Sequence, residues 1–241
     1  GKLLAIDTSG TLICNAEETA NAEVSYQTVI VPRGGEYNLV LSDGTRVRLN
    51  ADSELRFPSP FTGKERMVYL KGEGYFEVAK DSTRPFIVST DRMDVKVLGT
   101  TFDINTYEDE GMSYVVLVEG LVEVFAGKGE SRIITPGDIA KVNMHDVRAG
   151  IQVSKCDVEH YTAWKEGNFS FRNASLTEIL KRVSRYYDVT IIREQMFEEE
   201  YYTGDLSRDV SLESLLSVIE SSTSVSFKVE RKIVYVQKKR D

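Results

Sequence analysis

Few side chains in this sequence of 241 residues could carry a reaction by themselves. Its two histidines, His145 and His160, stand far apart, one among turn-rich strand residues and one in a connecting stretch. A triad needs such a base set against a nucleophile, and both histidines read more simply as surface residues. With no cysteine beside them they give no zinc-ligand spacing. Cys14 and Cys156 are too few for a disulfide framework. Two unpaired thiols are the preferred reading, with one bridge left open because sequence distance does not fix spatial distance. Asp7-Thr8-Ser9-Gly10 approaches the Asp-Thr-Gly order around a catalytic aspartate, but its glycine comes one place late. Tyr202-Thr203-Gly204-Asp205 supplies no second copy in that order. Glu73 and Glu77 would share one face of a strand, a spacing that surface carboxylates reach by chance as readily as a hydrolytic pair does. Gly34-Gly35 and Gly72-Glu73-Gly74 lie between strands, whereas phosphate-cradling glycines precede a helix N-terminus with its free amides. They read as turn glycines. No catalytic residue, metal ligand or cofactor-binding residue is assigned, and no cofactor is expected.

Tyr201 and Tyr202 form the candidate binding feature. Neighbouring side chains in a strand point to opposite faces, so both rings enter one core only if the strand is covered on both sides. An exposed tyrosine beside the acidic loop Glu198-Glu199-Glu200 suits contact with a protein partner. Packing of the second ring beneath that loop is the alternative.

Most of the chain is patterned as strands. Residues 1–25 lack sustained periodicity and read as a leader or linker, with one short strand possible in Leu3-Leu4-Ala5-Ile6. Residues 26–154 read as an all-β domain. Tyr37–Leu41 and Thr45–Leu49 flank Ser42-Asp43-Gly44, and Asp-Gly tolerates the positive φ angles of a tight hairpin. Further short strands follow at close spacing, with no convincing helix, so a sandwich, a roll or a solenoid-like stack would fit. Residues 155–167 read as a bridge containing Tyr161 and the sole tryptophan, Trp164, which is taken as an anchor rather than a ligand platform. In residues 168–241 the period changes. Leu176, Ile179, Leu180, Val183 and Tyr187 fall on one helical stripe, opened by Ser175 and Glu178 at capping-box spacing. Leu212, Leu215, Leu216 and Ile219 form a second stripe, and a shift of 211 − 175 = 36 residues superposes the two. Each copy reads strand, helix, strand, so the tail is expected to hold two β-α-β repeats sharing a sheet.

The formal charge is -8, with 38 acidic against 30 basic residues. A nucleic-acid binder needs the opposite balance, and an anionic membrane surface would repel this chain. No apolar run approaches the ~20 residues of a membrane span. The first residues, Gly1-Lys2, lack a methionine and suggest either a processed chain or a first residue left by cloning, with any targeting or anchoring segment ahead of Lys2 lost.

The β region resembles the FecR-type anti-sigma regulators of Gram-negative bacteria. The matching blocks are Leu41-Ser42-Asp43-Gly44-Thr45-Arg46-Val47-Arg48-Leu49-Asn50-Ala51, Val68-Tyr69-Leu70-Lys71-Gly72-Glu73-Gly74-Tyr75-Phe76-Glu77-Val78, Arg84-Pro85-Phe86-Ile87-Val88, Val97-Leu98-Gly99-Thr100-Thr101-Phe102 and Pro136-Gly137-Asp138. Gly74 stands where many members carry alanine. From Trp164-Lys165-Glu166-Gly167 to Tyr235 the chain is similar to the C-terminal domain of such regulators, which itself resembles the N-terminal signalling domain of secretins and TonB-dependent transporters. The resemblance implies a non-enzymatic, protein-binding chain. It would be the periplasmic part of an inner-membrane protein, docking on a transporter's signalling domain and holding a sigma factor through a cytoplasmic region outside this sequence. A secreted carbohydrate-binding module is the second reading and expects a row of exposed rings. A glycoside hydrolase is the third and expects convergent buried carboxylates.

Overall fold

The computed structural model describes residues 5–6, 11–14, 25–127, 129–146, 148–193 and 200–239. It divides into two compact units, Gly1–Thr162 and Ala163–Asp241.

The strands of the larger unit are β1 (Ala5–Ile6), β2 (Leu12–Ile13), β3 (Ser25–Val31), β4 (Tyr37–Val40), β5 (Arg46–Leu49), β6 (Ser53–Ser59), β7 (Arg66–Lys71), β8 (Glu73–Glu77), β9 (Phe86–Ser89), β10 (Met93–Val97), β11 (Thr101–Asn105), β12 (Met112–Glu119), β13 (Val122–Ala126), β14 (Glu130–Ile134), β15 (Asp138–Asn143) and β16 (Ile151–Lys155). Nine form one sheet, β1-β2-β4-β5-β8-β11-β12-β15-β16, and seven form another, β3-β6-β7-β9-β10-β13-β14. Spatial order follows chain order in both sheets, because the chain crosses from one to the other after every one or two strands. This is a layered stack of short strands, not a barrel. Pairing is antiparallel except between β2 and β4 and between β7 and β9.

Side-chain alternation explains why the sheets face each other. In β5, Val47 and Leu49 are buried while Arg46 is exposed. Alternate residues of β6, β7 and β10 behave likewise. The inward residues of both sheets form one apolar core, in which the rings of Phe76 and Phe102 stack at 5.2 Å. Burial of such surface is the main stabilising term. The Asp-Gly hairpin is present: β4 pairs with β5, Gly44 has φ 84°, and its amide donates to Leu41 O. A 3-10 turn at Glu108–Glu110 and the five-residue helix α1 (Val158–Thr162) are short departures from the strand pattern.

The described residues ahead of β3 take part in the nine-stranded sheet. Leu12–Ile13 pairs in parallel with Leu39–Val40, and Cys14, 3% exposed, donates its amide to Val40 O. Two residues are too short a run for periodicity to reveal.

The smaller unit contains β17 (Asn168–Ser175), α2 (Leu176–Tyr187), β18 (Thr190–Arg193), β19 (Tyr201–Ser207), α3 (Leu212–Ser221), β20 (Val225–Glu230) and β21 (Ile233–Lys238). The capping box is complete: Ser175 Oγ accepts from the Glu178 amide at 3.2 Å, and Glu178 Oε2 accepts from the Ser175 amide at 2.7 Å. Leu176, Ile179, Leu180 and Val183 of α2 and Leu215, Leu216 and Ile219 of α3 are buried in one cluster.

The expectation of two β-α-β repeats sharing one sheet is corrected here. β17 pairs antiparallel with β19 in a two-stranded sheet, while β18, β21 and β20 form a separate three-stranded sheet. Neither helix therefore joins parallel neighbours of a single sheet. The reason is local. A two-residue turn at Arg231 and Lys232, with Arg231 at φ 55°, closes β20 onto β21. So short a loop costs little chain entropy, and β21 takes the place beside β20 that a second parallel strand would need. β18 then adds in parallel to the far side of β21.

Candidate functional site

The chemistry-bearing residues of the larger unit turn out to be structural. Asp43, in the hairpin turn, accepts from the Thr45 amide at 3.0 Å and from Thr45 Oγ1 at 2.7 Å. It also meets Arg66 Nη1 at 2.8 Å, and Arg66 is only 1% exposed. Arg66 donates further to Arg84 O and Ala79 O and lies over the Phe86 ring. A buried guanidinium survives only with such partners, so the Asp-Gly-Thr turn is fastened to β7 and to the loop before β9. Sequence reasoning missed Arg66, although it shares strand parity with Val68 and Leu70.

Glu73 is also buried, at 6% exposure, and its carboxylate is engaged by the Asn50 and Asn105 side-chain amides and the Tyr114 hydroxyl. Glu77, four residues along the same strand, is exposed. At strand rise the two are roughly 13 Å apart, wider than the ~5–9.5 Å of hydrolytic carboxylate pairs. A Cβ at Gly72 would meet Ser53 Oγ at 2.4 Å, and Gly72 has φ 87°, so the glycine is a turn requirement. Beside this network lies a cleft of about 400 Å³ lined by Asp52, Lys71, Thr106, Tyr107, Asp109 and Met144 among others. Its lining residues include no histidine or cysteine, and the Ser113 hydroxyl is engaged with Met144 Sδ.

Both cysteines are free thiols, and burial pushes Cys14 up to about 11. His160 stands against the Tyr161 ring, which also meets Tyr114 and lies beneath Lys141, all within the larger unit. Trp164 is buried in the smaller unit, where its carbonyl accepts from Arg208 Nη1. Among the described residues no cluster of three metal-ligating side chains occurs, and no helix is long and apolar enough to cross a membrane. Residues 7–10 and Glu198-Glu199 lie outside the described residues.

Tyr201 and Tyr202 sit at the start of β19 and point to opposite faces. Tyr202 packs on the apolar cluster of the smaller unit, and its hydroxyl donates to Glu200, which also takes the Ser224 hydroxyl. Burial, with Glu200 second, raises the Tyr202 phenol above its usual value. Tyr201 is 60% exposed. Among the described residues β19 is paired only with β17, so a row of main-chain groups lies at its outer edge, and Gly204 in mid-strand has open space where a Cβ would lie. Exposed Val210 and Val218 were not anticipated. Val218 could have been, because it falls off the inward stripe of α3.

The FecR protein family model matches residues 27–123, and the FecR C-terminal model matches residues 168–236. Two crystal structures of a protein proposed to be an anti-sigma factor, from Parabacteroides distasonis, share this architecture at 29% identity. One superposes with a TM-score of 0.81 over 89% of this chain and 100% of that chain. The other gives 0.82 over 90% and 100%. No curated protein matches the sequence. The two family models cover separate compact units and together more than half of the residues: the chain belongs to the FecR family of anti-sigma regulators.

Proposed function

We propose that this chain is the periplasmic sensory portion of a membrane-anchored anti-sigma factor. In this reading it binds the N-terminal signalling domain of a TonB-dependent outer-membrane transporter and relays that domain's state to an extracytoplasmic-function sigma factor. Family membership and the Parabacteroides distasonis match support the anti-sigma role. The observation that carries the docking assignment is the open edge of β19 with Tyr201 beside it. An incoming strand gains main-chain hydrogen bonds from such an edge and selectivity from the flanking ring.

The test is capture of the cognate transporter's signalling domain by the full chain, by a chain lacking residues Trp164 to Asp241, and by Tyr201→Ala. Docking through the smaller unit predicts loss with the deletion and weakening with Tyr201→Ala. Equal capture by all three refutes it.

The carbohydrate-binding alternative finds little support. Tyr26 and Tyr69 are exposed on β3 and β7, the strands on either side of β6, but the Arg56 guanidinium of β6 lies over both rings, at 4.6 and 5.8 Å from their centroids. A sugar platform needs open ring faces.

A further inference from the structure

Strand β3 ends the seven-stranded sheet and, among the described residues, pairs on one side only, with β6. Its sequence is Ser25-Tyr26-Gln27-Thr28-Val29-Ile30-Val31, seven residues with no charge, proline or glycine. Proteins normally blunt an open edge with a charged side chain, a proline or a bulge, because an unblunted edge invites another strand. Every other edge strand here longer than two residues carries a charge: Glu130 and Arg132 in β14, Lys155 in β16, Arg172 in β17, Asp205 in β19, Arg193 in β18, and Lys228 and Glu230 in β20. In a chain of net charge -8, an uncharged seven-residue edge stands apart.

We infer that β3 is a self-association edge that takes a second copy of this chain. Antiparallel strand pairing across a two-fold axis requires each strand to match itself reversed. Centred on Thr28, β3 does so. Thr28 faces the other Thr28, and Tyr26 and Ile30 each face the other copy's Ile30 and Tyr26. All three project from the outer face, where Tyr26 is 53% and Ile30 66% exposed. The pairing thus joins four half-exposed apolar side chains into one patch and brings no like charges together. Aromatic opposite β-branched is among the favourable cross-strand pairs. Arg56, one strand inward, lies over Tyr26 and holds the ring in place on this face. A single strand pair buries less than a permanent interface does, so the association is weak and concentration-dependent.

Sedimentation equilibrium of the full chain over a concentration series tests this. Mass should rise from 27.2 kDa towards a dimer. Thr28→Lys, at an exposed site, sets two ammonium groups face to face and should weaken association roughly tenfold or more. Because Thr28 also pairs with Arg56 of β6, its melting curve should shift down slightly. In a Cys156→Ser background, Thr28→Cys should cross-link to itself under mild oxidation, since directly opposite residues meet disulfide geometry. Tyr26→Cys alone should not, because it faces Ile30. A monomeric mass at every concentration, a dimer untouched by Thr28→Lys, or equal cross-linking of Tyr26→Cys would each overturn the inference.

Discussion

Arg66 of the larger unit is 1% exposed and meets Asp43 in the core, whereas Arg172 of the smaller unit meets Asp205 with side chains 40% and 61% exposed. The same contrast runs through both units. The larger buries Glu73 among amides and a phenol, and among the described residues only Leu12 is a partly buried apolar neighbour of its core cluster. The smaller leaves Tyr186, Tyr187, Ile191, Tyr202, Leu206, Leu212, Phe227 and Val229 only partly covered around its cluster. A short chain has too little interior to hide its side chains. One unit is a frame that commits Arg66 and Glu73 to its interior. The other keeps edges, rings and ion pairs at the surface, where a partner can use them.

The sharpest way to break this comparison is Arg66→Ala. It leaves Asp43 buried without its cation, which costs ~3–5 kcal/mol, read as a lowered urea midpoint. A loss below ~1 kcal/mol would mean the pair is not part of the frame. Ser175→Ala removes half of the capping box and should cost the smaller unit ~1 kcal/mol, seen in hydrogen exchange of the α2 amides. Arg172→Ala should cost well under ~1 kcal/mol, because its pair is in solvent. A larger loss would erase the contrast.

Smaller still is a pH effect. Asp138 is lowered from 3.8 to about 2, first by the hydrogen bond from Lys155 and then by that from Thr135. A depressed carboxylate contributes stability above its unfolded pKa, and that contribution is lost as pH falls from about 4 towards 2. Asp138→Asn should flatten the acid limb of the melting profile in this window, only slightly, given the exposed lysine. Labelling at pH 8 completes the series. Half-buried Cys156 should react before Cys14, whose thiol is pushed up to about 11 by burial. The reverse order would show that β2 does not stay paired.

Much of the strand and helix pattern was legible because its cause is local. Asp43-Gly44 specifies its turn within four residues, Ser175 and Glu178 cap α2 within one turn, and alternation separates Tyr201 from Tyr202. The partition into sheets was not, because it depends on which strands meet. The stripes around Leu176 and Leu212 look alike, yet the turn at Arg231 diverts β21 between strands that the pattern alone would have placed together. Arg66 was hidden by its type: arginine reads as surface, and only the partners supplied by Asp43, Ala79 and Arg84 make its burial tolerable. The proposed docking surface was legible only as a pair of rings, since an edge exists only once a sheet is assembled.

Because the strands of each sheet in the larger unit lie in chain order, each pairing closes a loop of short or intermediate length and none joins the two ends of the chain. Adding or deleting a two-strand step would leave the remaining pairings intact. Such an architecture can change in length between relatives while each surviving step keeps its register, in the way that a ladder is extended rung by rung.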